Sequence, residues 1–119
     1  MFKILPTLLI LTITGLSGAF THTLSQTDTE FWFVAPEVWA GHGDSPILLR
    51  FATFDEAAVI TVEQPANPSF PTQTLNVDAN SVYSLDLTTW LSQIENKPAN
   101  SILNFGLHIT SNTPVTAYY

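Results

Sequence analysis

Apolar side chains recur at every second position in six segments between residues 47 and 119, and that period allows only one kind of element. Successive side chains of an extended strand point to opposite faces, so alternation marks a strand with one face buried. Ile47, Leu49 and Phe51 are expected to face one side, with Arg50 on the other. Ala58, Ile60 and Val62 alternate with Thr61 and Glu63, and Leu75 and Val77 with Asn76. Tyr83, Leu85 and Leu87 alternate with Ser84 and Asp86. Phe105, Leu107 and Ile109 alternate with His108 and Thr110, and Val115, Ala117 and Tyr119 with Thr116 and Tyr118.

Turn residues separate these runs at the spacing of a sandwich or barrel. Gly41-His42-Gly43-Asp44-Ser45-Pro46 reads as a loop, and the three prolines of 65–71 exclude a central strand there. Asp78-Ala79-Asn80-Ser81 predicts a tight turn and a hairpin of strands 72–77 and 81–87. Ser111-Asn112-Thr113-Pro114 predicts a second turn, joining strands 105–110 and 114–119. Thr88 to Asn96 breaks the pattern: Leu91 and Ile94 stand three apart behind Thr88 and Thr89, which predicts one short helix capped by a threonine. The fold class expected is mainly β, an antiparallel β-sandwich-like domain with one short helix.

The front of the chain is not part of that domain. Met1-Phe2-Lys3 is a short positive start, Ile4 to Ile13 is nearly all apolar, and Ser17-Gly18-Ala19 places small residues at a cleavage site. This is the pattern of a secretory signal peptide, and the run falls short of the roughly 20 apolar residues that span a bilayer. The expected division is a signal peptide at 1–19, a polar leader at 20–29 and the β domain at 30–119. The mature chain is expected to be secreted or displayed at a cell surface, with no stable membrane insertion after cleavage. The chain stops at Tyr118-Tyr119 inside an aromatic run, which reads as the truncated front part of something longer.

Charge and cysteine content narrow the function classes. Cysteine is absent, so a small exported domain must hold together by apolar packing alone. Ten carboxylates face three Lys and Arg, for a net charge of −7, and loss of Lys3 with the signal takes it to −8. A surface of that sign repels phosphate backbones, so nucleic acid is excluded as a partner.

No catalytic constellation emerges. His22, His42 and His108 lie in a leader, a glycine loop and the polar side of a strand, without zinc-ligand spacing. Asp44, Asp55, Glu56, Asp78 and Asp86 flank strands, as calcium ligands do, but no Asp-x-Asp-x-Asp series is present. The expectation is no cofactor, with calcium as the alternative. Glu30 and Glu37 could pair as glycosidase carboxylates beside Trp32 and Trp39, but a domain this short has little room for a cleft. Trp32, with Phe31 and Phe33, is read as a core aromatic. Neither a Gly-x-Ser-x-Gly elbow nor a phosphate-binding glycine loop occurs.

Three segments in order carry a family likeness. They are Thr29-Glu30-Phe31-Trp32-Phe33-Val34-Ala35-Pro36-Glu37; Ser45-Pro46-Ile47-Leu48-Leu49-Arg50-Phe51-Ala52-Thr53 with the strand at 57–63; and Gly106-Leu107-His108-Ile109-Thr110-Ser111-Asn112-Thr113-Pro114-Val115-Thr116-Ala117-Tyr118. Together, over about residues 28 to 119, they resemble the N-terminal domain of IgGFc-binding-protein-like bacterial surface proteins, many of them from Bacteroidetes with sorting or gliding-motility-associated domains. Residues 98–105 intervene where that pattern is tighter, and the continuation past the last tyrosine is missing. The resemblance implies an extracellular, non-catalytic adhesion or interaction module and gives no ground for immunoglobulin binding. The expected partner is an extracellular protein or glycan surface. Trp39, His42 and Asp44, an aromatic beside a glycine loop, are the expected contact residues. A carbohydrate-binding or carbohydrate-active domain is the alternative reading.

Overall fold

The computed structural model describes residues 26–37, 41 and 45–119. The signal peptide assigned to 1–19, the start of the leader, and Trp39, His42 and Asp44 lie outside the described residues. In chain order the elements are β1 (Thr27–Phe33), β2 (Ala35–Pro36), β3 (Leu48–Ala52), β4 (Ala58–Glu63), β5 (Gln73–Val77) and β6 (Val82–Asp86). They are followed by a 3₁₀ turn (Thr88–Trp90), α1 (Leu91–Ile94), β7 (Glu95–Asn96) and β8 (Leu107–Tyr118). The fold is mainly β, antiparallel in its main sheet, with one short helical segment. β1 begins at Thr27, three residues before the domain start expected at 30.

β8 organises the sheet. Its first half lies between β1 and β4, so that Ile109 is opposite both Phe31 and Val62. Its second half lies between β1 and β3, so that Thr116 is opposite both Thr27 and Ala52. β5 then pairs with β4, and β6 with β3, completing a six-stranded sheet that curls almost into a barrel. The inward row of each strand is the apolar row of the alternation. Phe51, Ile60, Val62, Leu107 and Val115 are fully buried, and Leu49 and Ile109 nearly so, in one shared core.

Both predicted hairpins are replaced by something else. Strands 73–77 and 82–86 exist but do not pair with each other. The 78–81 turn is a crossing between two arms of the sheet, and it is held by the end of β3. Thr53 Oγ1 donates to the Asp78 carbonyl at 2.5 Å and accepts from the Ser81 amide at 3.0 Å, while the Thr53 amide donates to the Ser81 carbonyl at 3.0 Å. Asn80 sits within the turn at φ 52°, a left-handed conformation that asparagine tolerates.

Residues 111–114 do not turn either. They lie within β8 as a bulge, and the register against β1 jumps from Glu30↔Thr110 to Asp28↔Val115. Pro114 has no amide hydrogen to give a ladder, and a bulge is where a sheet tolerates that. Side chains fix the bulge: Asn112 Oδ1 accepts from the Val59 amide at 2.7 Å, and Thr113 Oγ1 donates to Glu56 Oε2 at 3.0 Å.

The proline-rich 65–71 loop and the helical segment close one end of the core. Phe70 is buried and meets Trp90 edge-on, with ring centroids 5.8 Å apart. Gln64, 3% exposed, donates through Nε2 to the carbonyls of Gln93 (2.7 Å) and Phe105 (2.9 Å) and accepts from Asn67 Nδ2 at 2.7 Å. A buried amide is tolerable only when its donors and acceptor are used in this way. Leu87 and Trp90, the residues at the N-cap positions of the 3₁₀ turn and α1, make no side-chain capping bond. Thr88 Oγ1, expected as a cap, instead accepts from the Ile47 amide at 3.1 Å and so ties the turn to the start of β3. Among the described residues, no helix is long and apolar enough to cross a membrane.

Candidate functional site

The outer face of β1, β8 and β4 carries the densest group of chemically active side chains in the described residues. Its construction follows from register. Trp32 on β1, His108 on β8 and Glu63 on β4 are direct cross-strand neighbours, forming one outward row across three strands. Glu30, two residues before Trp32, is opposite Thr110 and thus diagonal to His108. Side chains opposite one another on a sheet face stand roughly 5 Å apart, and diagonal neighbours are within reach of long side chains.

His108 is the hub. Its Nε2 is 2.9 Å from Glu30 Oε1 and its Nδ1 3.2 Å from Glu63 Oε1. The Trp32 indole stacks on the imidazole, with centroids 4.4 Å apart and planes 22° from parallel. His108 is 18% exposed, whereas Glu30 and Glu63 are 60% and 41% exposed and Trp32 64%. The indole therefore covers the histidine with one face and leaves most of its own surface to solvent.

Two carboxylates at two ring nitrogens determine the charge state. A neutral imidazole donates from one nitrogen only, so both bonds form fully only on the imidazolium. Partial burial is the largest single influence on the His108 pKa and pulls it down. The hydrogen bonds that Glu63 and Glu30 accept from the ring, with their charges, together outweigh that pull and raise it above 6.5. The two nitrogens point to different carboxylates, so the group does not converge on a common point as metal ligands do. Among the described residues, no three His, Cys, Asp or Glu side chains converge to hold a metal.

The sequence-predicted carboxylate pair is not a unit. Glu30 is bound to His108, while Glu37 Oε2 accepts from the Ala99 amide at 2.7 Å and Glu37 Oε1 is 3.9 Å from Lys97 Nζ. The buried Glu95 is also 3.9 Å from Lys97. Trp32 is not the core aromatic expected of it, because the inward row of β1 is Phe31 and Phe33 and Trp32 takes the other face. Phe54, Asp55, Glu56, Thr113 and Pro114 line an open hollow of ≈ 260 Å³, where Glu56 is already used by Thr113. Trp39, His42 and Asp44 lie outside the described residues.

The alternation of His108 and Glu63 with apolar neighbours was the signal for an outward-facing group. What alternation could not supply was that β8 separates β1 from β4, which brings together residues 78 positions apart. No family model matches the chain, and neither a curated protein nor a solved structure matches it.

Proposed function

We propose that this chain is a non-catalytic interaction module, secreted or held at a cell surface, that forms the front part of a larger adhesin-like protein of the IgGFc-binding-like kind. The observation that supports this best is the exposed indole of Trp32 on an open sheet face, braced by His108 and flanked by Glu30 and Glu63. Tryptophan is enriched at protein interfaces because it offers a large rigid apolar surface at little entropic cost. The same face argues against catalysis. Carboxylates and a histidine can move protons, but among the described residues nothing over this sheet face excludes water or orients a substrate. The loop residues Trp39, His42 and Asp44 remain proposed contacts of the same module.

The test is retention of the labelled full chain on host cells and matrix proteins. Trp32→Ala is expected to weaken it by about tenfold or more, the scale of an aromatic hot spot. Unchanged retention, with the β circular dichroism spectrum preserved, would remove this face from the function. Trp39→Ala and Asp44→Ala test the loop in the same assay. An exposed indole beside hydrogen-bonding groups can also stack on a sugar ring, so carbohydrate binding is the second reading. Glycan-array signals that vanish in Trp32→Ala or Trp39→Ala favour it, and released sugar in the same sample would favour an enzyme.

A further inference from the structure

Past the bulge, the outward residues of β1 are Glu30 and Trp32, a carboxylate and an aromatic ring two positions apart. Residues two apart on a strand are spaced by about 6.6–6.8 Å, which is also the spacing of same-face side chains on any strand laid beside it. Among the described residues, β1 pairs only with β8, so its other edge has no strand partner. The Thr29 amide is taken by Asp28 Oδ1 at 2.7 Å, leaving Glu30 to Phe33 as the stretch open to pairing.

Charge selects the occupant. Glu30 and Glu63 each have a carboxylate oxygen beyond the one His108 holds, and Trp32 has an open ring face. An aromatic face attracts cations through its quadrupole, and adjacent carboxylates strengthen that preference. Apart from protonated His108, no cation of the described residues competes on this face. Lys97 lies against Glu37 and Glu95, and Arg50 lies opposite Tyr118, at the other end of β8 from His108. A second copy of the chain is a poor occupant, since its three Lys and Arg are single and far apart in sequence.

We propose that β1 receives a basic extended segment of a protein partner, added antiparallel or parallel along its open edge, with Lys or Arg at every second position over Trp32 and Glu30. This rests on the interaction-module reading above and names the partner class. Main-chain bonds to the edge give affinity, and the alternating cations give specificity. The proton on His108 and the partner's cation are drawn to the same two carboxylates. Glu30 from β1 and Glu63 from β4 are the charged groups facing His108, and β8 adds only the neutral Thr110 beside it. Binding therefore tightens as pH rises and His108 loses its proton.

The probes are nine-residue peptides alternating Arg with Thr, Gln with Thr, and Glu with Thr, titrated into the full chain. The Arg peptide is expected to bind at least about tenfold more tightly than the Gln peptide, and the Glu peptide not at all. Trp32→Ala and Glu30→Gln should each weaken the Arg peptide by about fivefold or more with the circular dichroism spectrum unchanged. His108→Gln should bind it while losing the gain between about pH 5.5 and pH 8.5. Methylating the peptide amides on one edge should abolish binding, which a purely electrostatic contact would survive. Equal affinity for the Arg and Gln peptides, or indifference to Trp32→Ala, overturns the proposal. If cell or glycan retention still depends on Trp32 in that case, the occupant is wrong and the interaction-module reading stands. If retention is indifferent to Trp32 as well, that reading loses this face too.

Discussion

At the scale of single residues, His108 has more consequence than its sequence context suggests. A histidine on the polar side of a strand is ordinarily solvated. Here it bridges Glu30 and Glu63 from the strands on either side of its own. Its pKa is raised in the folded chain, against burial, by those two carboxylates. The folded state thus binds the proton more tightly than the unfolded chain. That stabilisation is fully present below the unfolded value of about 6.5 and is lost as pH rises through the higher folded value. The urea midpoint of the wild-type chain is expected to fall between about pH 6 and pH 8 by more than that of His108→Gln, a difference read directly from paired denaturation curves. Identical pH dependence in the two proteins would mean that the two bonds carry no net stabilisation.

At the scale of elements, strand existence was legible and strand partnership was not. The alternation from Ile47 to Tyr119 identifies β3, β4, β5, β6 and β8 because each buries one face against the same core. A short polar turn between two alternating runs looks the same whether the runs pair or part. The 78–81 turn parts them, and what decides it is Thr53, which is distant in sequence and gives no local sign. Thr53→Val keeps the shape and removes the hydroxyl, leaving the Asp78 carbonyl and Ser81 amide without this partner. It is expected to lower stability by about 1–3 kcal/mol in equilibrium unfolding, the cost of orphaning a buried polar group. A change within about 0.3 kcal/mol would mean that water replaces the hydroxyl. Residues 111–114 teach the same lesson. Asn-Thr-Pro is turn chemistry locally, yet Asn112 and Thr113 spend their side chains on Val59 and Glu56 and hold the segment inside one long strand. At the helical end, hydrogen bonds from the Thr88 side chain and then its amide hold the exposed Asp86 carboxyl below the usual value.

At the scale of the whole molecule, two arms of sheet share one core. β3 with β6 and β4 with β5 are joined in the sheet by β8, at the 78–81 crossing by Thr53, and in the core by the residues buried between them. Phe51 stands in that core, fully buried, opposite Tyr83 on one side and Ala117 on the other. Phe51→Ala is expected to cost about 3–5 kcal/mol, the range for emptying an aromatic site in a packed core. With no disulfide to hold either arm, both should unfold in one transition, with fluorescence and circular dichroism curves coincident. Two separated transitions would show that the arms are independent.

The sequence alone determined where β3, β4, β5, β6 and the two halves of β8 form, which of their faces is apolar, and that the chain is acidic and free of disulfides. Those properties follow from the period of side chains along one stretch of backbone, which neighbours cannot alter. Only the tertiary structure decided which strands meet. It alone turned Trp32 outward, made 111–114 a bulge, and brought Glu30, Glu63 and Trp32 around His108. Pairing order depends on how distant segments share one core, and it is the register between them, rather than any local motif, that assembles the site.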